Sequence, residues 1–499
     1  MTGTLVTARH VLVHQGDGHR MLRDGAVLVR GAHIEWVGPV EDAPAAGQRV
    51  ELGECLLMPG LIDLEGLADI DHIVLDAWSD GDTDLLWSRD YAQRAVNALC
   101  AEDRSRMRLY AVAQLALHGI TSFMPISSEV HTAWSETHDD AMDLVAAVQA
   151  VGLRGFIGPS YRSAVHVAEP DGSMGMFHDE AAGQRGFSDA VRFLDTVREL
   201  GDPLVTGVLA PCRVESVSRE LLERTAQVAA ERNALVRVHV FQDLFENEVL
   251  AASHGTDAMG LLRETGLLND RLLVAHGVYL DRHPHVIGED TGQLAELAAA
   301  GVSIVHCPVT NARYSFHLHR LGDYLEAGVN MALGSDSFPP DLVRAMDLGT
   351  HLAKMQYGSL EAHFLPEYVN AATLGGARAL HRDDLGRIAA GASADLAAFA
   401  LDPVRTGPVE DPLRTLLQSG TGANAVFSMV AGQPVVRDGT LPGVDLEKLR
   451  DDGQRIFDRL RASYAERTAG TGRELFPPVF PEASPVGSRA DLVDDMHRN

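Results

Sequence analysis

Three histidines and one aspartate each close an apolar run in this chain: Val238-His239-Val240, Val274-Ala275-His276-Gly277, Val305-His306-Cys307-Pro308 and Gly334-Ser335-Asp336. Imidazole nitrogens and a carboxylate oxygen are the usual ligands of a zinc- or iron-like divalent ion. Such an ion lowers the pKa of its bound water, and a carboxylate such as Asp336 is suited to take the proton. One histidine of this kind reads most simply as a satisfied structural residue. Four polar groups at matching places in successive apolar runs read as a site, because an unpaired buried imidazole or carboxylate is costly. Other chemistries lack their motifs. Cys55, Cys100, Cys212 and Cys307 form no Cys-x-x-Cys pair, and no Gly-x-Ser-x-Gly elbow occurs. Cys307 sits beside His306 without a second base that would make it a nucleophile.

The elements that must position these residues are short apolar runs at 56–64, 120–126, 153–158, 204–211, 235–241, 272–278, 302–307 and 329–333. Helical patterns separate them, at 104–117, 141–151, 190–200, 218–231 and 291–300 among others. Apolar strands alternating with amphipathic helices predict a parallel sheet buried on both faces. Eight such units in one span predict a (β/α)8 TIM barrel, whose active site lies at the C-terminal ends of the strands. No Gly-x-Gly-x-x-Gly follows the early strands, which argues against an open doubly wound sheet. Both flanks read as short strands, with turns expected at Asp24-Gly25, Ala390-Gly391 and Asp438-Gly439. The expected organisation is a composite β-sandwich from residues 1–58 and 381–445 around a barrel at 59–380. Residues 446–499 follow as a charged helix over 446–467 and a tail containing Pro477, Pro478, Pro481 and Pro485.

The chain has 499 residues, 45% of them hydrophobic, and a formal net charge of −28. That charge repels phosphates, so neither nucleic acid nor an anionic membrane is expected as a partner. No run reaches the roughly 20 apolar residues of a membrane span, and no signal peptide is read at the N-terminus. Scattered cysteines fit a reducing cytoplasm.

As an ordered set, several segments resemble the amidohydrolase superfamily, in particular its cytosine-deaminase and triazine-chlorohydrolase-like branch. They are Met58-Pro59-Gly60-Leu61-Ile62-Asp63, His239, Ala275-His276-Gly277, His306-Cys307-Pro308 with Asn311, and Gly334-Ser335-Asp336. Gly386-Arg387-Ile388 with Gly391, Ala394-Asp395-Leu396 and Phe399 completes it, so the resemblance covers nearly the whole chain. It implies a metal-activated water attacking an amide, amidine or halogenated ring carbon of a small molecule, and a homodimer. By resemblance His239 and Asp336 are ligands of one divalent ion, zinc with iron or manganese as alternatives. His276 polarises the substrate or assists the metal, and His306 and Asn311 line the pocket.

Two departures stand out. The family's first strand ends in His-x-His, and here the matching residues are Glu65 and Leu67. Leucine cannot ligate, whereas Glu65 can replace a ligand through oxygen. Three residues after His239 the family places a proton-shuttling glutamate, and here Gln242 cannot ionise. Asp69, Asp71, His72 and Asp243 are candidates to compensate, and Glu246 matches a second acidic position of the family. Arg162, after Tyr161, could meet a polar substrate group, as could Gln242. Trp78 and Trp87 flank an acidic stretch from Asp80 to Asp84 that could act as a lid. His317 and His319 read as a solvated loop. The expectation is a hydrolase of a non-peptide C–N bond in a small, nitrogen-rich or cyclic molecule, with Asp336 as base. The alternative is a metal-independent member, doing acid–base chemistry through Asp336 and His276 or binding a ligand without turnover.

Overall fold

The computed structural model describes residues 3–70, 86–94, 96–126, 136–359, 361, 363–468, 475–476 and 478–480. Asp71, His72, Trp78 and the acidic stretch 80–84 lie outside them, as do Pro477, Pro481 and Pro485.

The N-terminal strands are β1 (Thr4–Gln15), β2 (Gly18–Arg30), β3 (His33–Pro39), β4 (Gln48–Glu51) and β5 (Cys55–Pro59). The eight strands expected of the barrel are β6 (Leu61–Leu67), β7 (Ile120–Ile126), β8 (Arg154–Ile157), β9 (Val205–Gly207), β10 (Val236–Val240), β11 (Leu272–His276), β12 (Ser303–His306) and β13 (Asn330–Leu333). Near the C-terminus come β14 (Leu396–Ala400), β15 (Ala425–Val430) and β16 (Gln433–Arg437). Strands from both ends of the chain pair into one eight-stranded sheet in the order β16-β15-β14-β5-β1-β2-β3, with β4 added to β1.

One expected turn is absent. Asp24-Gly25 lies inside the continuous strand β2, where Asp24 takes a φ of 49° and its carboxylate pairs with Arg9 across the ladder at 2.6 Å. The aspartate–glycine pair supplies a local kink here, and the hairpin itself turns at Gly16, φ 68°. The apolar run 56–64 also divides, because β5 belongs to the terminal sheet and β6 to the next layer. Gly60 makes the step. A Cβ there would sit 2.1 Å from Thr121 Oγ1.

Strands β6 to β13 form two parallel four-stranded sheets, β9-β8-β7-β6 and β10-β11-β12-β13. Among the described residues no single ladder runs round all eight. A bridge between Leu209 and Val236 links the sheets on one side, and the Asp336 N–H donates to the Glu65 carbonyl at 2.8 Å on the other. Ile62, Leu64, Met124, Phe156, Leu273 and Val305 pack together from both sheets, and the helices cover the outer faces of the strands. Helix Leu446–Arg467 appears where the sequence predicts it and packs on Ala101–Leu117, with Asp103 accepting from Arg455 at 2.7 Å and from Arg459. A buried ion pair, Arg154 to Asp395 at 2.9 Å, fastens β8 to the chain entering β14.

Candidate active site

Side chains two apart on a strand share a face, so β10 presents Arg237 and His239 together. On β6 the pairing slips by one residue between Asp63 and Gly66. Ile62 and Leu64 pack in the interior apolar cluster, and this bulge also directs the next side chain, Glu65, towards β10. Arg237 Nη1 donates to Glu65 Oε1 at 2.5 Å, and both groups are buried. Burial alone would raise the Glu65 pKa, but Arg237 and then His239 outweigh it and hold the carboxyl below its ordinary range.

His239 Nδ1 donates to the Cys212 carbonyl at 2.6 Å. Its other nitrogen, Nε2, faces Glu65 Oε1 at 3.0 Å, so the two meet across a proton or a bound cation. The His276 ring stacks on His239, centroids 5.4 Å apart. His276 Nδ1 donates to Asn311 Oδ1 at 3.0 Å, which leaves its Nε2 lone pair towards Asp336 Oδ2 at 3.7 Å. Burial, reinforced by His239, pulls the His276 pKa down to about 3, so the ring is neutral at physiological pH. The backbone is in the left-handed region at both His276 (φ 71°) and Asp336 (φ 38°), a strained conformation typical of functional sites. Asp63 anchors the eighth-strand end by accepting from Ser335 N at 2.9 Å and Ser335 Oγ at 2.6 Å. Its own pKa is pushed up to about 6 by burial.

The donor atoms decide whether a divalent ion fits here. His276 Nε2 is fully buried and has no hydrogen-bond partner. One donor atom each from His276, Cys307 and Asp336 lie within 4.8 Å of one another. Glu65 Oε1 is occupied, but its Oε2 is buried and bare. Imidazole, carboxylate and thiol donors gathered in an apolar interior suit a zinc-like ion.

His306 and Cys307 are adjacent at the end of β12 and face opposite ways. Cys307 joins the interior cluster. The His306 ring, expected to line the pocket, lies on the outer side of the strand, 5.9 Å from the Tyr368 ring and beside Leu321 and Leu325. Asn311 reaches the site through His276. Gln242 accepts from Arg213 through Oε1. Arg162 is buried, donating to Cys212 Sγ at 3.8 Å and lying 5.6 Å from the Trp87 ring. Asp69 is also buried. Asp243 caps helix Leu244–His254 by accepting from Glu246 N at 2.9 Å, and Glu246 holds the Phe241 N–H. Burial, followed by the nearby Glu215, raises the Glu246 pKa well above normal.

Sequence reasoning missed Arg237 and Arg213, and took Asp63 only as the end of the first-strand motif without a role. The signal for Arg237 was present, since a charged residue two places before His239 must share its face.

Comparison with known proteins follows from this geometry. A model of the amidohydrolase family matches residues 56–438. Over 480 residues the chain is 28% identical to a 5-methylthioadenosine/S-adenosylhomocysteine deaminase of Halobacterium salinarum, covering 93% of this chain and all of that one. It is 29% identical to an 8-oxoguanine deaminase of Pseudomonas aeruginosa over 68% of this chain and 73% of the relative. Among solved structures, a zinc-bound adenosine deaminase from Xanthomonas campestris superposes with a TM-score of 0.75 at 23% identity, covering 92% and 98% of the two chains. A zinc complex of atrazine chlorohydrolase from Arthrobacter aurescens gives 0.73 at 22%, covering 91% and 100%. The fold is therefore of the (β/α)8 TIM-barrel type.

Proposed function

Because the chain belongs to the amidohydrolase family, we propose that it hydrolyses a non-peptide C–N bond of a small, nitrogen-rich molecule such as an amino-substituted heterocycle. The observation that carries this reading is the cluster of His239, neutral His276 and Asp336 at the C-terminal ends of β10, β11 and β13. A divalent ion, zinc by analogy with the zinc-bound neighbours, would be held by His239, His276 and Asp336, with the buried, unpartnered Glu65 Oε2 as a further oxygen donor. When bound, such an ion supplies a water acidified towards neutral pH.

The chain's own residues do the rest. Asp336 takes the proton from the attacking water and returns it to the departing nitrogen, since Gln242 cannot ionise. Arg213 engages Gln242 Oε1, so the end left to meet substrate is the amide NH2, which calls for an acceptor such as a carbonyl or ring nitrogen. Asn311 fixes the tautomer of His276 and so keeps its Nε2 unprotonated. The reading includes a cytoplasmic homodimer without nucleic-acid or membrane partners. The four free cysteines suit a reducing compartment, the net charge of −28 disfavours nucleic acid and anionic membranes, and the homodimer rests on the family resemblance. Among the described residues no helix is long and apolar enough to cross a membrane.

A second reading, metal-independent acid–base chemistry through Asp336 and His276, is favoured by one observation: Arg237 already places a cation on Glu65. Screening the purified protein against amides and amino-heterocycles tests both. Asp336→Asn should lower turnover by about 10²–10⁴ with folding intact, and a fully active variant overturns the assignment. Loss of activity on exhaustive chelation supports the metal reading, and full retention supports the second.

A further inference from the structure

The first strand lacks the imidazole pair that the family resemblance leads one to expect, and the structure also compromises its replacement. Glu65 is neutralised by Arg237 at 2.5 Å, so its charge is largely spent before any ion arrives. That leaves the Asp336 carboxylate, 3.7 Å from His276 Nε2, as the anionic ligand. A divalent ion buried with one negative ligand is poorly balanced, because charge in a low-dielectric interior is costly unless paired.

Cys307 lies in the right place to correct this. Its Sγ, a His276 ring nitrogen and an Asp336 carboxylate oxygen lie within 4.8 Å of one another, and all three residues are buried. The His276 Nε2 aimed into this space has no hydrogen-bond partner and is fully buried. Gly334 lets Glu65 and Cys307 pack closely against its backbone, since a Cβ there would lie 2.4 Å from Glu65 Cβ and 3.0 Å from Cys307 Sγ. The thiol's own contact is weak, a donation to the Val305 carbonyl at 3.7 Å. Little is lost when it is given up.

We infer that Cys307 is a ligand of the divalent ion, its thiolate binding beside His276 Nε2 and Asp336 and supplying the negative charge that Arg237 withholds in Glu65. This rests on the metal-dependent reading above. On binding, the S–H bond breaks, its proton leaves to solvent, and the sulfur gives both electrons of the new bond, so nothing is oxidised or reduced. A mixed nitrogen, oxygen and sulfur set also selects zinc or cobalt over magnesium and manganese.

The test uses the full-length protein loaded with Co2+ or Zn2+. A near-ultraviolet thiolate-to-cobalt band is expected in the wild type, and X-ray absorption of the zinc form should show sulfur at about 2.3 Å. Cys307→Ser and Cys307→Ala should lose the band, keep native circular dichroism and bind zinc more than about tenfold more weakly. Cys212→Ser should keep the band. A zinc spectrum with nitrogen and oxygen alone, or a band that survives in Cys307→Ala, overturns the inference while leaving the hydrolase reading standing. A wild type that takes up neither metal overturns both the inference and the metal-dependent reading. Should both Cys307 variants fail to fold, the wild-type X-ray absorption spectrum decides alone.

Discussion

Replacing Arg237 by methionine removes the positive half of the most deeply buried ion pair near the site. Both side chains are at most 2% exposed. With charge centres about 4 Å apart and an effective dielectric near 20, the attraction is about 4 kcal/mol. Desolvating the two ions costs several kcal/mol, so the intact pair contributes little net stability. Removing one partner is different, because Glu65 then keeps its charge with only His239 opposite. Arg237→Met is therefore expected to destabilise the protein by about 3–5 kcal/mol. Glu65→Leu with Arg237→Met removes both charges and should lie within about 1 kcal/mol of wild type or above it. Urea unfolding followed by fluorescence and far-ultraviolet circular dichroism, with coincident transitions, measures all four members of the cycle. The Arg237→Met deficit should shrink below the ordinary glutamate pKa of about 4.3. Wild-type Glu65 has a lowered pKa, so its stabilisation is present above that pH and fades as acid protonates it. A single-variant loss under about 1 kcal/mol, or strictly additive losses, would refute the argument that the pair is one unit.

Asn311→Leu should weaken metal binding by about 10–100-fold, measured by competition with a chelator, because His276 loses the acceptor that fixes its tautomer. Asp63→Asn should gain stability relative to wild type between pH 4 and pH 7. The folded Asp63 pKa is raised from 3.8 to about 6, so its contribution is full below 3.8 and is lost as pH rises through 6, where the buried anion costs about 3 kcal/mol. His306→Gln should leave kcat/KM near wild type, since the ring lies outside the strand layer. A large rise in KM would restore it to the pocket. Burial holds His306 near pKa 3, so the same variant should also lose less stability than wild type as pH falls from 6.5 towards 3.

The strand–helix alternation was legible because buried parallel strands must be continuously apolar, and β7 matches the run read from sequence residue for residue. The helix from Leu446 was legible as a charged helical stretch, and the structure adds that Asp445 caps it by accepting from Lys448 N. What failed were places where one residue changes the geometry. Asp24-Gly25 carries turn chemistry but kinks a strand, and Gly60 splits one apolar run between two sheets. At the site, positions along the chain singled out His239, His276 and Asp336, and the structure brings these three together. Facing directions at strand ends depend on bulges and on the last paired residue, so Glu65 turning to Arg237 and His306 turning outwards could not be read from spacing. Arg237 itself was readable by the two-residue rule, but an arginine in a strand interior is rare enough to be passed over.

The bond from Asp336 N–H to the Glu65 carbonyl joins strands 271 positions apart in the chain, from 65 to 336. The site's ends therefore meet only when the first and last parallel strands do, a strongly non-local and so slow event in assembly. Partly folded chains hold these donors apart and offer no complete binding cluster. An ion selective for the finished arrangement would stabilise the native state by mass action without hastening its formation. Metal occupancy would thus register whether the last strand has docked, making the centre a marker of completed folding as well as of chemistry.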